Sequence, residues 1–124
     1  MEYRRLGKSD LKVSEVSLGC WVMGGDYWGG AEDRDSIDAI RKAVEVGINF
    51  IDTAELYGWG HSEEVVGKAL KGCRDKAYIS TKVWKTNMRR EDVKKACENS
   101  LMRLQTDYID VYFIHYPNNE VPIE

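Results

Sequence analysis

Apolar positions recur along the chain with two periods, and the periods alternate. Two short runs, residues 3–6 and 11–13, flank Gly7, Lys8, Ser9 and Asp10, and turn residues between extended runs predict a small hairpin. Residues 16–20 form a short apolar strand, and the glycine- and aromatic-rich MGGDYWGGAED behind it reads as a loop. Ile37, Ile40 and Val44 recur at helical spacing and predict a helix over 34–46. Asp33 is placed to cap its start and Gly47 to stop it. A strand over 49–53 leads to a second helix over 63–70, capped by Ser62 and stopped by Gly72. Its inner face is Val65, Val66, Ala69 and Leu70. A third strand covers 77–82. A third helix covers 91–104, with Val93, Ala96, Cys97, Leu101 and Leu104 on one face, and a fourth strand covers 109–115.

Three strand–helix–strand units in series argue a parallel sheet with right-handed crossovers and helices packed on it. The 124 residues suffice for one domain. No tract of low complexity or linker divides them. An apolar fraction of 43% and a charged fraction of 31% are ordinary for a soluble globule. A net charge of −3 supplies no basic excess for phosphates, which disfavours a nucleic-acid binder. No apolar run approaches the ~18 residues of a membrane helix, and the charged MEYRRLGKSD is unlike a signal peptide, so a cytoplasmic location is expected. Cys20, Cys73 and Cys97 are odd in number and lack CxxC spacing, in keeping with a reducing compartment. His61 and His115 stand far in sequence from any cysteine, so no metal site is expected.

In parallel strand–helix folds, ligands bind at the carboxyl ends of the strands. The first of these ends carries Gly19, Cys20 and Trp21; the second Asp52 and Thr53, with Tyr57 just beyond; the third Thr81 and Lys82; the fourth His115. Asp52, Tyr57, Lys82 and His115 therefore converge on one rim. A phenol gives up its proton poorly at neutral pH, and a neighbouring ammonium favours the phenolate. A carboxylate keeps that ammonium charged and oriented, and an imidazole can donate to a carbonyl oxygen as negative charge builds there. The set suits protonation of an oxygen while another agent attacks the carbon. None of the four is a hydride source, so reduction requires a cofactor. Each residue also has an ordinary reading as a cap, a surface aromatic, a solvated lysine or a core histidine.

The run GINFIDTAELYGWGHSE over 47–63 closely resembles the signature of the aldo-keto reductases. STKVW over 80–84, DVYFIHYPN over 110–118 and the opening YRRLGKSDLKVSEVSLGCW fall in the family's order and spacing. The resemblance implies an α/β fold of (β/α)8 TIM-barrel type, here only its N-terminal half as a single domain over 1–124, with the hairpin closing the barrel bottom. It implies NADPH-dependent reduction of aldehydes or ketones, or the reverse, without a Rossmann fold. By motif position Tyr57 matches the general acid, Lys82 and Asp52 the pair that eases loss of its proton, and His115 the residue that orients the substrate carbonyl. Gly19, Cys20 and Trp21 match the loop beside the nicotinamide, with Asp52 also at the cofactor. Trp21, Tyr57, Trp84 and His115 are the substrate-binding candidates, and Trp21, Trp28, Trp59 and Trp84 are candidates for an aromatic wall. A complete barrel needs about 250 residues. The expected role is thus the catalytic half of a longer enzyme acting on a small carbonyl compound, with self-association through open sheet edges as a further expectation. A non-catalytic half-barrel assembly module and a channel-associated regulatory subunit of the same family are the alternatives.

Overall fold

A computed structural model describes residues 1–25 and 29–123. The hairpin forms as β1 (Tyr3–Arg5) and β2 (Lys12–Ser14), antiparallel. Then follow β3 (Leu18–Gly19), α1 (Asp33–Glu45), β4 (Phe50–Asp52), α2 (His61–Leu70), β5 (Tyr78–Val83), α3 (Arg90–Leu104) and β6 (Val111–Ile114). The last four strands make one parallel sheet in the order β3-β4-β5-β6. The hairpin is tied to the chain just before β4: the Asn49 side chain accepts from the Ser14 amide at 2.7 Å, and the Tyr3 hydroxyl donates to the Gly47 carbonyl at 2.9 Å. It therefore sits at the amino ends of the strands.

Alternation along β5 assigns the two faces of the sheet. Ile51, Ile79 and Val83 are at most 2% exposed and pack against the helices, with Val65, Val66 and Leu70 of α2 in the main cluster. Asp52, Ser80 and Lys82 point the other way, and register places Val111 and Phe113 beside Ser80 and Lys82. That face is left partly open: Phe113 is 45% exposed. One face thus carries the core and the other carries polar chemistry. Among the described residues no helix is long and apolar enough to cross a membrane.

Element boundaries depart from the sequence expectation where side chains find tertiary partners. Asp33 does not cap α1; it is the first helical residue, and its carboxylate meets His61 Nε2 at 2.7 Å, while Glu32 holds the cap position without a side-chain bond. Ser62 does not cap α2, which begins at His61 behind a left-handed Gly60. Its hydroxyl instead donates to the Cys20 carbonyl at 2.7 Å and pairs with the Thr53 hydroxyl at 2.9 Å, tying the helix to the ends of β3 and β4. The expected strands over 16–20, 49–53 and 109–115 shorten to β3, β4 and β6. At β3 only Leu18 and Gly19 find register with β4, and Val16 is exposed. On α3, Ala96 and Leu104 are buried as expected, but Cys97 and Leu101 are only half-buried, and Ser100 is buried in their place.

Two close fits lock this frame. Glu63 is fully buried and takes the Thr81 hydroxyl at 2.6 Å and Arg103 Nε at 2.6 Å, joining α2, β5 and α3. Gly24 and Gly58 bring two turns into backbone contact: a Cβ on Gly24 would meet the Gly58 nitrogen at 2.6 Å, and a Cβ on Gly58 would strike the Gly24 carbonyl. Gly58 is also left-handed, at φ +60°. Gly58→Ala should therefore cost about 2 kcal/mol or more in a urea midpoint measurement, from left-handed strain plus the clash. Glu63→Leu should cost roughly 3 kcal/mol, because it leaves Arg103 unpaired against a buried surface; a loss under about 0.5 kcal/mol would contradict the assigned role.

Candidate active site

Lys82 is the penultimate residue of β5, and strand alternation points it to the open face. Its ammonium reaches Asp52 Oδ2 at 2.8 Å, the Thr53 carbonyl at 2.7 Å and the Tyr57 hydroxyl at 3.4 Å. It also lies 5.0 Å from the centroid of the Tyr57 ring. Asp52 is held from its other side, since the Ser80 hydroxyl donates to Oδ1 at 2.6 Å. Ser80 is fully buried and pairs with Asp52 in the strand register. Both carboxylate oxygens are thus fixed, one by a neutral donor and one by the cation. Tyr57 opens the turn Tyr57–Gly60, whose Gly58 and Trp59 are both left-handed, and the contact with Gly24 sets where that turn can sit.

A cleft of ≈ 480 Å3 opens over these groups. Tyr57 and His115 face each other across it, ring centroids 5.6 Å apart and nearly perpendicular at 86°. Trp21 lies against Tyr57 at 6.1 Å, and Trp84 meets His115 edge-on at 5.4 Å. Tyr116 stacks on His115 at 5.2 Å and 15°. Leu56 and Trp59 complete the lining. Burial, and then the nearby Lys82 ammonium, hold the His115 imidazole below its ordinary value, against smaller opposing effects of Asp52 and Glu55. Its Nδ1 is buried without a hydrogen-bond partner among the described residues.

All four rim residues expected from sequence thus come together at one place. Trp21, Trp59 and Trp84 line the cleft, while Trp28 lies outside the described residues. Gly19 is exposed at the end of β3. Cys20 directly follows β3 at this rim, but its side chain is 0% exposed and belongs to the core, and burial pushes its thiol up to about 12. An apolar environment disfavours the thiolate, so this thiol is an inert core group. Metal ligation has no candidate group among the described residues.

Sequence reasoning missed three residues that shape this site. Ser80 stands two positions before Lys82, so strand alternation alone was the available signal for its place beside Asp52. Glu55 accepts the Trp84 amide at 2.5 Å and the Asn87 side-chain amide at 3.0 Å, which fixes the loop that carries Trp84. Tyr116 directly follows His115 beyond the end of the strand, where strand alternation carries no signal. A larger but shallow depression near Arg74 and Tyr108 lies at the amino end of β5 and β6, away from this chemistry. There Arg74 is already engaged by Asp110, the Ala77 and Tyr108 carbonyls and the Tyr108 ring.

The model of the Aldo/keto reductase family matches residues 15–124. The chain is 46% identical over 134 aligned positions to the aldo-keto reductase YhdN of Bacillus subtilis, covering 100% of this chain and 40% of that protein. It superposes with a TM-score of 0.89 on the thermostable aldo-keto reductase Tm1743, crystallised with the inhibitor epalrestat, at 42% identity over 98% of this chain and 45% of that one. It superposes with a TM-score of 0.80 on an aldo/keto reductase from Klebsiella pneumoniae in complex with NADP and acetate, at 40% identity over 87% of this chain and 37% of that one. The chain thus spans about 40% of the length of the curated relative it matches. A parallel sheet with the site at its carboxyl ends, a family match over nearly all of its length and agreement in backbone trace lead to one assignment: the chain belongs to the aldo/keto reductase family, as part of its (β/α)8 barrel.

Proposed function

We propose that residues 1–124 are the N-terminal, catalytic half of an enzyme that reduces aldehydes or ketones to alcohols with NADPH, with Tyr57 as proton donor. The observation that carries this reading is the position of one ammonium, Lys82 Nζ, between the Asp52 carboxylate at 2.8 Å and the Tyr57 hydroxyl at 3.4 Å. Across the cleft, His115 faces Tyr57. The NADP-bound relative from Klebsiella supports the choice of cofactor.

The donor set here fits a nicotinamide by complementarity: it holds a phenol, an ammonium and an imidazole, which move protons, and it holds no hydride. Gly19, Trp21 and Asp52, at the carboxyl ends of β3 and β4, are the residues of this chain that would hold the cofactor. When bound, the nicotinamide supplies the hydride to the carbonyl carbon. The protein's part is the proton and the electrostatics. Tyr57 Oη donates its proton to the carbonyl oxygen as that carbon is reduced. The Lys82 ammonium stabilises the negative charge left on the phenol oxygen, and Asp52 keeps the ammonium in place. His115, kept neutral at neutral pH by burial, carries one ring proton. With Nδ1 buried and unpartnered, placing that proton on Nε2 avoids an orphaned N–H and leaves a donor for the carbonyl oxygen. The aromatic rings of the cleft shed water from the reacting atoms.

Two measurements test this. Tyr57→Phe should lower kcat for NADPH oxidation with 4-nitrobenzaldehyde by roughly 10²–10⁴-fold, the usual range for loss of a positioned acid; retention within tenfold would overturn Tyr57 as donor. The His115 Cε1 proton, followed by NMR, should titrate below 6.5. Lys82→Met should move that midpoint upward only in part, since burial is the larger cause. The sign follows from linkage: the unfolded chain takes up this proton more readily, so its effect on stability is absent at high pH and becomes a loss as pH falls below 6.5. A midpoint at or above 6.5 would contradict the geometry.

A further inference from the structure

A second recess of ≈ 240 Å3 adjoins the cleft, and the two share Leu56, Trp59 and Trp84 as a common wall. The cleft side of that wall carries Tyr57 and His115. The recess side carries Glu55, Asn87, Asn99 and Arg103. The Trp84 indole is therefore a partition between a proton-transfer site and a polar pocket. It is held in place by Glu55, which accepts its backbone amide.

The chemistry of the recess is specific. Arg103 is its one cation, and its Nε is committed to the buried Glu63 at 2.6 Å and Nη2 to Ser100 at 3.3 Å. Glu55 contributes a carboxylate whose Oε1 already accepts from two amide donors. The half-buried Asn99 lines the recess and the adjoining hollow of Asp92 and Lys95, and its amide makes no hydrogen bond to another described residue, so its donor and its acceptor are both uncommitted. Trp59 adds a flat apolar surface that is 80% exposed. An uncommitted amide beside an indole, with the one lining cation already ion-paired to Glu63 and the Glu55 carboxylate close by, matches a neutral group that both donates and accepts hydrogen bonds and carries C–H surface; an anion would meet the Glu55 charge and a guanidinium whose charge Glu63 already balances. A water occupies about 30 Å3 of liquid, so the recess has room for a group of several heavy atoms.

We propose that this recess is the distal subsite of the cleft, and that it takes a neutral hydroxyl-bearing group of a carbonyl compound whose body crosses the Trp84 indole. The inference rests on reading the cleft as the carbonyl site. It makes the preferred substrate an elongated hydroxylated aldehyde or ketone, with the reacting carbon at Tyr57 and His115 and the hydroxyl end at Asn99.

The test compares 4-(2-hydroxyethoxy)benzaldehyde with 4-propoxybenzaldehyde and 4-(carboxymethoxy)benzaldehyde, which have the same length. The hydroxylated compound should show three- to tenfold higher kcat/KM than the propoxy compound, the range expected for one or two neutral hydrogen bonds, and the carboxylate should gain nothing. Asn99→Leu, and independently Asn99→Ala, should bring the ratio to about one. An unchanged ratio in both folded variants, or preference for the carboxylate, overturns the subsite. Turnover of none of the three overturns the carbonyl reading instead. The subsite is then read from tryptophan fluorescence on titrating the corresponding benzyl alcohols, where an Asn99-dependent preference for the hydroxylated one supports it and equal affinities overturn it.

Discussion

One ammonium organises the open face of the sheet. Lys82 Nζ is bound by the Asp52 carboxylate, the Thr53 carbonyl and the Tyr57 hydroxyl, and these come from a strand end, the residue beyond it and a separate turn. A largely buried cation must find compensating partners or pay a desolvation cost of several kcal/mol. Here the compensating groups are the ones whose placement matters: satisfying Lys82 fixes the carboxylate and brings the phenol within reach. The same contact that solves a stability problem assembles the proposed proton donor.

The rest of the frame serves that arrangement by leaving little freedom around it. Gly24 and Gly58 are in backbone contact, so the turn that carries Tyr57 cannot slide against the loop that follows β3. Glu63, fully buried between Thr81 and Arg103, fixes α2 against β5 on the opposite side of the sheet from Lys82. Thr81 and Lys82 are neighbours on one strand, and each answers a charged partner on its own face. The helix-covered face holds its charge in a closed pair, and the open face presents its charge to a cleft. Packing density on the first face is what lets the second be polar without loosening the strand.

The aromatic lining follows a similar logic. Tyr116 stacked on His115 and Trp84 edge-on to it restrict the imidazole, and the ring they hold is the one whose Nδ1 has no hydrogen-bond partner among the described residues. A histidine oriented by ring contacts keeps its remaining nitrogen free for a ligand. Glu55 extends the same control to Trp84 and, through Asn87, to the polar recess behind it.

The order of strands and helices was legible in the chain because burial on one face imposes period two or 3.6, and those periods survive in the residues. The rim residues were legible too, since Asp52, Lys82 and His115 each stand at or beside the end of an apolar run. What the pattern could not give is which side chain meets which across the fold. Asp33 and Ser62 are ordinary capping types, and only the folded chain shows that their oxygens go to His61 and to the ends of β3 and β4. Glu63 lies outside the apolar face read for its helix, and only the folded chain brings Arg103, forty positions later, to neutralise it. Cys20 occupies the expected position beside the site, yet its thiol turns into the core. Local sequence determines periodicity, because that is set between near neighbours. Pairing of polar groups over long range is decided only when the sheet closes and each buried charge must find a partner.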